Sequence, residues 1–216
     1  ILPVADMVDG MKAKLDAMRA LLYQTARYVD VYKTLEDIAK ERKLLPEERA
    51  EQKKYSRMAD AFTPLAKGLG SEMCNQNAYD ALQVHGGSGF MKDYAVERLY
   101  RDARVTSIYE GTTQMQVVAA IRYVTNGFYT TVMQEYEALP VSPALQPLHA
   151  QLQAGKVRYE QMVEKVNALQ NTDAVEYLGR RLVESAGYII MGYLLLQDAT
   201  MNEEMFAKSA ALFTMQ

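Results

Sequence analysis

Two short stretches of this 216-residue chain carry residue types at spacings that chemistry can use. The first is Tyr109-Glu110-Gly111, expected in a loop just before a helix. A carboxylate held there against an apolar and aromatic wall is suited to act as a general base. Gly111 removes a side chain beside it and lets a ligand approach the backbone. The residue types alone leave open an exposed acid or a capping residue. The second stretch is His85-Gly86-Gly87-Ser88-Gly89, the densest glycine cluster. It invites three enzyme readings, and each fails on spacing. Gly-x-Gly-x-x-Gly begun at Gly87 and Gly89 needs its third glycine where Lys92 stands. Gly-x-Ser-x-Gly around Ser88 needs one where Phe90 stands, and the Gly-Lys-Ser/Thr of a P-loop is absent. The remaining reading is a helix C-cap followed by a tight turn. By itself His85 reads as a turn or capping residue, and Cys74 as helix packing.

Composition narrows the rest. Lys and Arg number 24 against 27 Asp and Glu, a net charge of -3, so no basic footprint points to nucleic acid or an anionic membrane surface. A single cysteine rules out an internal disulfide and fits a reducing cytosol, and we expect a cytoplasmic protein. One Cys and two His make a structural zinc site improbable, and no metal is expected. The most apolar stretch, Ala186 to Leu196, falls well short of the roughly 20 residues of a membrane span. The chain starts Ile-Leu-Pro with no signal peptide visible, which reads as part of something longer.

The elements that must position these stretches are helical. Apolar positions Val4, Val8, Met11, Leu15, Met18, Leu22, Thr25, Val29 and Tyr32 recur at steps of four and three, which predicts one long amphipathic helix ending near Lys43. Pro46, Glu47 and Glu48 read as the start of a second. Its stripe is Tyr55, Met58, Phe62, Leu65, Leu69 and Met73, with a bend expected at Pro64 before its end near Val84. A shorter helix is predicted over Val96 to Val105. Thr113 and Gln116 match a capping box, opening a helix near Gln114 that runs to about Asn126 or further. Pro140, Pro143 and Pro147 mark a break. Beyond it we expect helices over Leu145 to Leu169 and Ala174 to Thr200, capped near Asn171, and a short terminal one. Met and Tyr, 13 and 15 in number, read as core and inter-helix packing. No stretch alternates as a strand would.

Taken together, the segments resemble the acyl-CoA dehydrogenase family. Tyr79 to Phe90 is similar to its Ala-Val-Gln-x-x-Gly-Gly-x-Gly-Tyr/Phe segment. Val96-Glu97-Arg98-Leu99-Tyr100-Arg101-Asp102-Ala103-Arg104 is similar to its Val-Glu-Arg-x-x-Arg-Asp-Ala-Lys/Arg segment, and Ile108 to Gln116 to its Ile-Tyr-Glu-Gly-Thr-x-x-Ile-Gln segment. The resemblance implies an all-α fold, an up-and-down four-helix bundle over residues 1–126 followed by a helical extension over 127–216. The extension is similar to that of larger members such as methylthiopropanoyl-CoA dehydrogenase-like enzymes. The family's helical N-terminal and middle β domains have no counterpart in these residues.

The same resemblance assigns roles. Glu110 is the implied catalytic base, taking the proton alpha to a thioester while the beta hydrogen leaves as hydride to FAD, giving a trans-2-enoyl-CoA. The backbone N–H of Glu110 is implied in binding the thioester carbonyl. Tyr109 and Gly111 are the implied substrate contacts. Thr112, Thr113 and Gln114 match cofactor-binding positions, and Gln83, Val84, His85, Gly86 and Gly87 match the segment that meets FAD from a neighbouring subunit. Arg101 and Asp102 are expected to be structural ion-pair residues. Implied partners are an acyl-CoA substrate, electron-transfer flavoprotein as acceptor, and further copies in a homo-oligomer. As an isolated piece the chain is expected to be inactive. Two other readings compete: a non-enzymatic helical interaction module, and an acyl-CoA oxidase.

Overall fold

The computed structural model describes residues 1–215. The chain forms eight α-helices there: α1 (Leu2–Glu41), α2 (Pro46–Val84), α3 (Ala95–Thr106), α4 (Thr113–Thr125), α5 (Phe128–Glu137), α6 (Gln146–Ala168), α7 (Thr172–Met201) and α8 (Glu203–Thr214). Single 3-10 turns over Gly86–Phe90 and Pro143–Leu145 complete the regular structure, and no strand occurs among the described residues. The fold is all-α, as the periodicity requires.

α1 and α2 form an antiparallel hairpin because only residues 42–45 join them. The corner is closed by the Glu48 carboxylate. It accepts two hydrogen bonds from the Arg42 guanidinium, at 2.8 and 2.6 Å, and one from the Leu45 N–H at 2.8 Å. α2 runs unbroken through Pro64, which is buried, and Met58, Phe62, Leu65, Leu69 and Met73 are buried as the pattern predicts. Full burial of a side chain such as Phe62 contributes roughly 1.5–3 kcal/mol.

The stripe on α1 differs from the expected one. Thr25 is buried as expected, but Val8, Leu15 and Leu22 are exposed, and the other buried positions include Ala13, Ala17, Leu21, Tyr28 and Leu35. The small residues bring α1 close to its neighbours, and the larger apolar side chains lie to one side. α4 ends at Thr125, close to the predicted Asn126, and Gly127, with φ 76°, stops it from continuing and starts α5 as a separate helix.

α1, α2, α4 and α7 pack as a four-sided bundle, each against the next, with α3 on α2, α6 on α7, and α8 against α1, α6 and α7. The fourth side therefore comes from beyond the proline-rich break. α7 reaches α2 at Gly187, where a Cβ would lie 2.1 Å from Leu69 Cδ1. One apolar cluster runs through the bundle and outward, from Ala17 and Phe62 to Tyr129, Tyr159, Ile190 and Phe213. Among the described residues, no helix is long and apolar enough to cross a membrane.

Candidate active site

The loop between α3 and α4 is tightly built. The Val105 carbonyl accepts from the N–H groups of both Ile108, at 2.9 Å, and Tyr109, at 3.1 Å, and so closes α3. The backbone then turns through two left-handed residues, Glu110 at φ 49° and Gly111 at φ 92°. Glycine takes such a φ freely, whereas glutamate does so at a cost of about 1 kcal/mol or more. Glu110 is thus a strained residue at the position singled out for chemistry.

The strain is held by residues from other elements. The Lys67 ammonium of α2 donates to the Gly111 carbonyl, and Gln116 Nε2 of α4 donates to the same oxygen at 3.2 Å. Lys67 Nζ also lies 5.7 Å from the centre of the Tyr109 ring. The Thr113 N–H donates to the Ser107 carbonyl at 3.2 Å. Its hydroxyl donates to Glu72 at 2.6 Å, and Glu72 in turn meets Arg180 of α7 at 3.4 Å. Asn75 reaches the Ala103 carbonyl at 3.1 Å and ties the end of α3 to α2. Lys67, Glu72 and Asn75 are not among the site residues that the sequence suggests. Their only signal is polarity on a face of α2 whose partner the sequence does not reveal.

Helix α4 opens one residue earlier than the sequence pattern placed it. Thr112 is the N-cap, accepting at 3.4 Å from the Met115 N–H, and Gln116 clamps Gly111 instead of completing a box with Thr113. Thr113 is buried, its hydroxyl committed to Glu72. Thr112 and Gln114 stay accessible.

Glu110 is exposed, and its carboxylate has no hydrogen-bond or ionic partner among the described residues. The enclosing wall expected around it is not formed by this chain: Ile108 and Tyr109 are half-exposed, and the Tyr109 ring is engaged with Lys67 of α2. The surrounding surface is markedly apolar, with Val105, Met115 and Val118 also exposed. The N–H groups of Glu110, Gly111, Thr112 and Gln114 have no acceptor among the described residues. A run of free amides at a helix start can bind a carbonyl or phosphate oxygen.

Gln83, Val84, His85, Gly86 and Gly87 stand elsewhere, where α2 ends. His85 caps the helix, its Nδ1 2.8 Å from the Ala81 carbonyl oxygen. Gly86, with φ 60°, turns the chain, and nothing lies within 4 Å of where a Cβ would stand on Gly86 or Gly87. Gln83 lies eleven residues beyond Glu72, about 16 Å along the helix. The two candidate cofactor segments are therefore not brought together within one chain. Each offers an open backbone surface that fits part of a dinucleotide.

Two further expectations are corrected. Arg101 and Asp102 are exposed and make no ion pair among the described residues, because they face outward on α3. Cys74 is exposed on α2, one residue past the buried Met73, and packs against no core. Among the described residues, no cluster of His, Cys, Asp and Glu is arranged to hold a metal ion.

Comparisons with known proteins agree with this fold. Residues 4–124 match the model of the acyl-CoA dehydrogenase C-terminal domain, and residues 125–215 match a second model, acyl-CoA dehydrogenase C terminal. The CarC subunit of a caffeyl-CoA reductase–Etf complex from Acetobacterium woodii is 37% identical over 113 residues, which are 52% of this chain and 24% of that protein. A 3-methylmercaptopropionyl-CoA dehydrogenase from Ruegeria pomeroyi is 37% identical over 114 residues, 52% of this chain and 17% of that protein. This chain thus spans a quarter or less of either relative. An acyl-CoA dehydrogenase from Bacillus anthracis, solved in complex with FAD, superposes with a TM-score of 0.64 at 22% identity, covering 96% of this chain and 36% of that one. With more than half its length matched by the C-terminal-domain model, the chain belongs to the acyl-CoA dehydrogenase family.

Proposed function

We propose that this chain is the C-terminal helical part of an FAD-dependent acyl-CoA dehydrogenase and supplies its catalytic base, Glu110. The observation that carries the reading is the strained Glu110-Gly111 turn, clamped by Lys67 and Gln116 beside a row of free backbone N–H groups. A carboxylate free of any partner on the chain is available to take the proton alpha to a thioester carbonyl. The Glu110 N–H is available to bind that carbonyl oxygen and so favour the loss of the proton. Tyr109 and Gly111 flank the acyl group. Thr112 and Gln114 would hold FAD in one subunit, and Thr113, whose hydroxyl goes to Glu72 and whose N–H goes to Ser107, would set the helix start between them. Gln83, Val84, His85, Gly86 and Gly87 would hold it from a neighbouring subunit, which makes the working form a homo-oligomer. Bound FAD supplies the acceptor for the beta hydrogen, which leaves as hydride. Electron-transfer flavoprotein is the acceptor we assign, in line with a relative named as a subunit of an Etf complex.

The exposed apolar surface around Glu110 supports a further part of the reading: the wall of the site is completed by protein outside these residues. Residues 1–126 and 127–216 are read as two family units, the two family models meet close to that point, and α7 of the second unit closes the bundle begun by the first. In the reverse direction the same carboxyl would return the alpha proton while reduced flavin, when bound, would supply the beta hydride, and the CarC relative is named as a subunit of a caffeyl-CoA reductase–Etf complex. In flavin-loaded protein carrying this chain, Glu110→Gln should abolish acyl-CoA-dependent bleaching of the flavin and leave flavin content unchanged. Bleaching at the parent rate would show that the base lies elsewhere. Bleaching followed by rapid reduction of oxygen with substrate bound would mark an oxidase.

A further inference from the structure

The extension contains a cavity of about 620 Å³ between α6, α7 and the end of α8, far in sequence from the Glu110 turn. Its volume is in the range that takes a small organic ligand. The walls are apolar: Leu152 and Met162 from α6, Ile189 from α7, and a stacked pair, Tyr188 and Phe213, with centroids 5.7 Å apart. Two guanidinium groups, Arg158 and Arg181, also line it. Neither has an acidic partner among the described residues, and the one carboxylate on the lining, Glu184, is paired with Arg180 at 2.7 Å.

The lining is polarised along the α6–α7 hairpin. Leu152 lies opposite Gly192, and Gly155 opposite Ile189. In that register Arg158 stands about 9 Å, and Arg181 about 16 Å, closer to the α6–α7 connection than Leu152 and Gly192. The two guanidinium groups thus stand toward one end of the cavity, and Leu152, Ile189 and Phe213 toward the other. Gly155 adds an independent observation. Glycine inside a helix is costly unless a neighbour requires it. At Gly187 and Gly192 a neighbour does, since a Cβ would come within 2.1 and 2.5 Å of a leucine. At Gly155 a Cβ would meet nothing nearer than Ile189 at 3.9 Å. Position 155 thus has room for a side chain on the cavity wall, and glycine there leaves that room unfilled.

We propose that this cavity is a binding site for an amphipathic carboxylate, its chain lying against Leu152, Ile189 and Phe213 and its head group on Arg158 and Arg181. It is a second site, distinct from the Glu110 turn, and stands whether or not the dehydrogenase reading does. Isothermal titration of the chain with dodecanoate, kept below its micelle concentration, should give saturable one-to-one binding. Gly155→Leu fills the space and should abolish that binding while its melting temperature stays at or above the parent's. The Arg158→Gln/Arg181→Gln double variant should weaken binding about tenfold or more by removing the charge-assisted contacts. Absence of saturable binding to the parent overturns the site, as does parent-like binding by Gly155→Leu. If the double variant binds like the parent, or dodecyl phosphate binds clearly better than dodecanoate, the carboxylate assignment is wrong.

Discussion

At the residue scale, the informative feature is the left-handed backbone of Glu110. A side chain that folding alone would replace with glycine is kept at a position where the fold requires φ 49°. Glu110→Gly should therefore stabilise the chain by about 1 kcal/mol, a rise of about 2–4 °C in melting temperature, while removing the proposed base. A melting temperature equal to or below the parent's would remove strain from the account. Lys67 is a positioning residue in this scheme, since it touches the Gly111 carbonyl and the Tyr109 ring and not the reacting carbons. In active holoenzyme, Lys67→Met should lower kcat about tenfold or more with little change in KM, and Lys67→Arg should restore much of it. A purely structural role would lower flavin content and melting temperature together and leave the kcat of the folded fraction intact. Glu110 and Gly111 were legible in the sequence because their chemistry is local. Lys67 and Glu72 were not, because they arrive from 44 and 41 residues away. The choice of Thr112 over Thr113 as the cap was equally hidden. Both have a hydroxyl, and contacts to Ser107 and Glu72 fix the register.

At the scale of elements, helix existence was readable and helix faces only partly so. α2 buries the stripe its spacing predicts, because large apolar residues at steps of three and four leave one choice of face. α1 offers two adjacent stripes, and contact goes to the one with Ala13 and Ala17, where backbones can approach closely. α7 uses the same device at Gly187 against Leu69. Gly187→Ala should thus destabilise by about 1–3 kcal/mol, seen as a lower melting temperature, because the leucine must move within a packed core. An unchanged melting temperature would mean that Leu69 swings aside freely and that the close approach matters little.

At the scale of the whole molecule, two carboxyls set opposing pH dependences. The hydrogen bonds from Arg42 and the Leu45 N–H lower Glu48 from 4.5 to about 2, so its stabilisation is present above 4.5 and lost as pH falls toward 2. Asp198 is the reverse case. Partial burial, with Asp16 nearby, raises it above 3.8, so the folded chain holds that proton more tightly than the unfolded chain does. Its stabilisation is present below 3.8 and lost as pH rises through the raised value. Asp198→Asn should melt higher than the parent at neutral pH, with the gap closing below pH 3.8, and a gap that stays constant with pH would assign the effect to something other than titration. The sequence by itself determined the helical class, most helix boundaries and the Tyr109-Glu110-Gly111 turn, since periodicity, capping chemistry and glycine's conformational range act over a few residues. Only the tertiary structure decided that α7 forms the fourth side of the bundle, that Lys67 and Glu72 brace the turn, and that the two candidate cofactor segments stand apart. Those depend on which faces meet across long stretches of chain, where many pairings bury similar apolar area and packing shape selects among them.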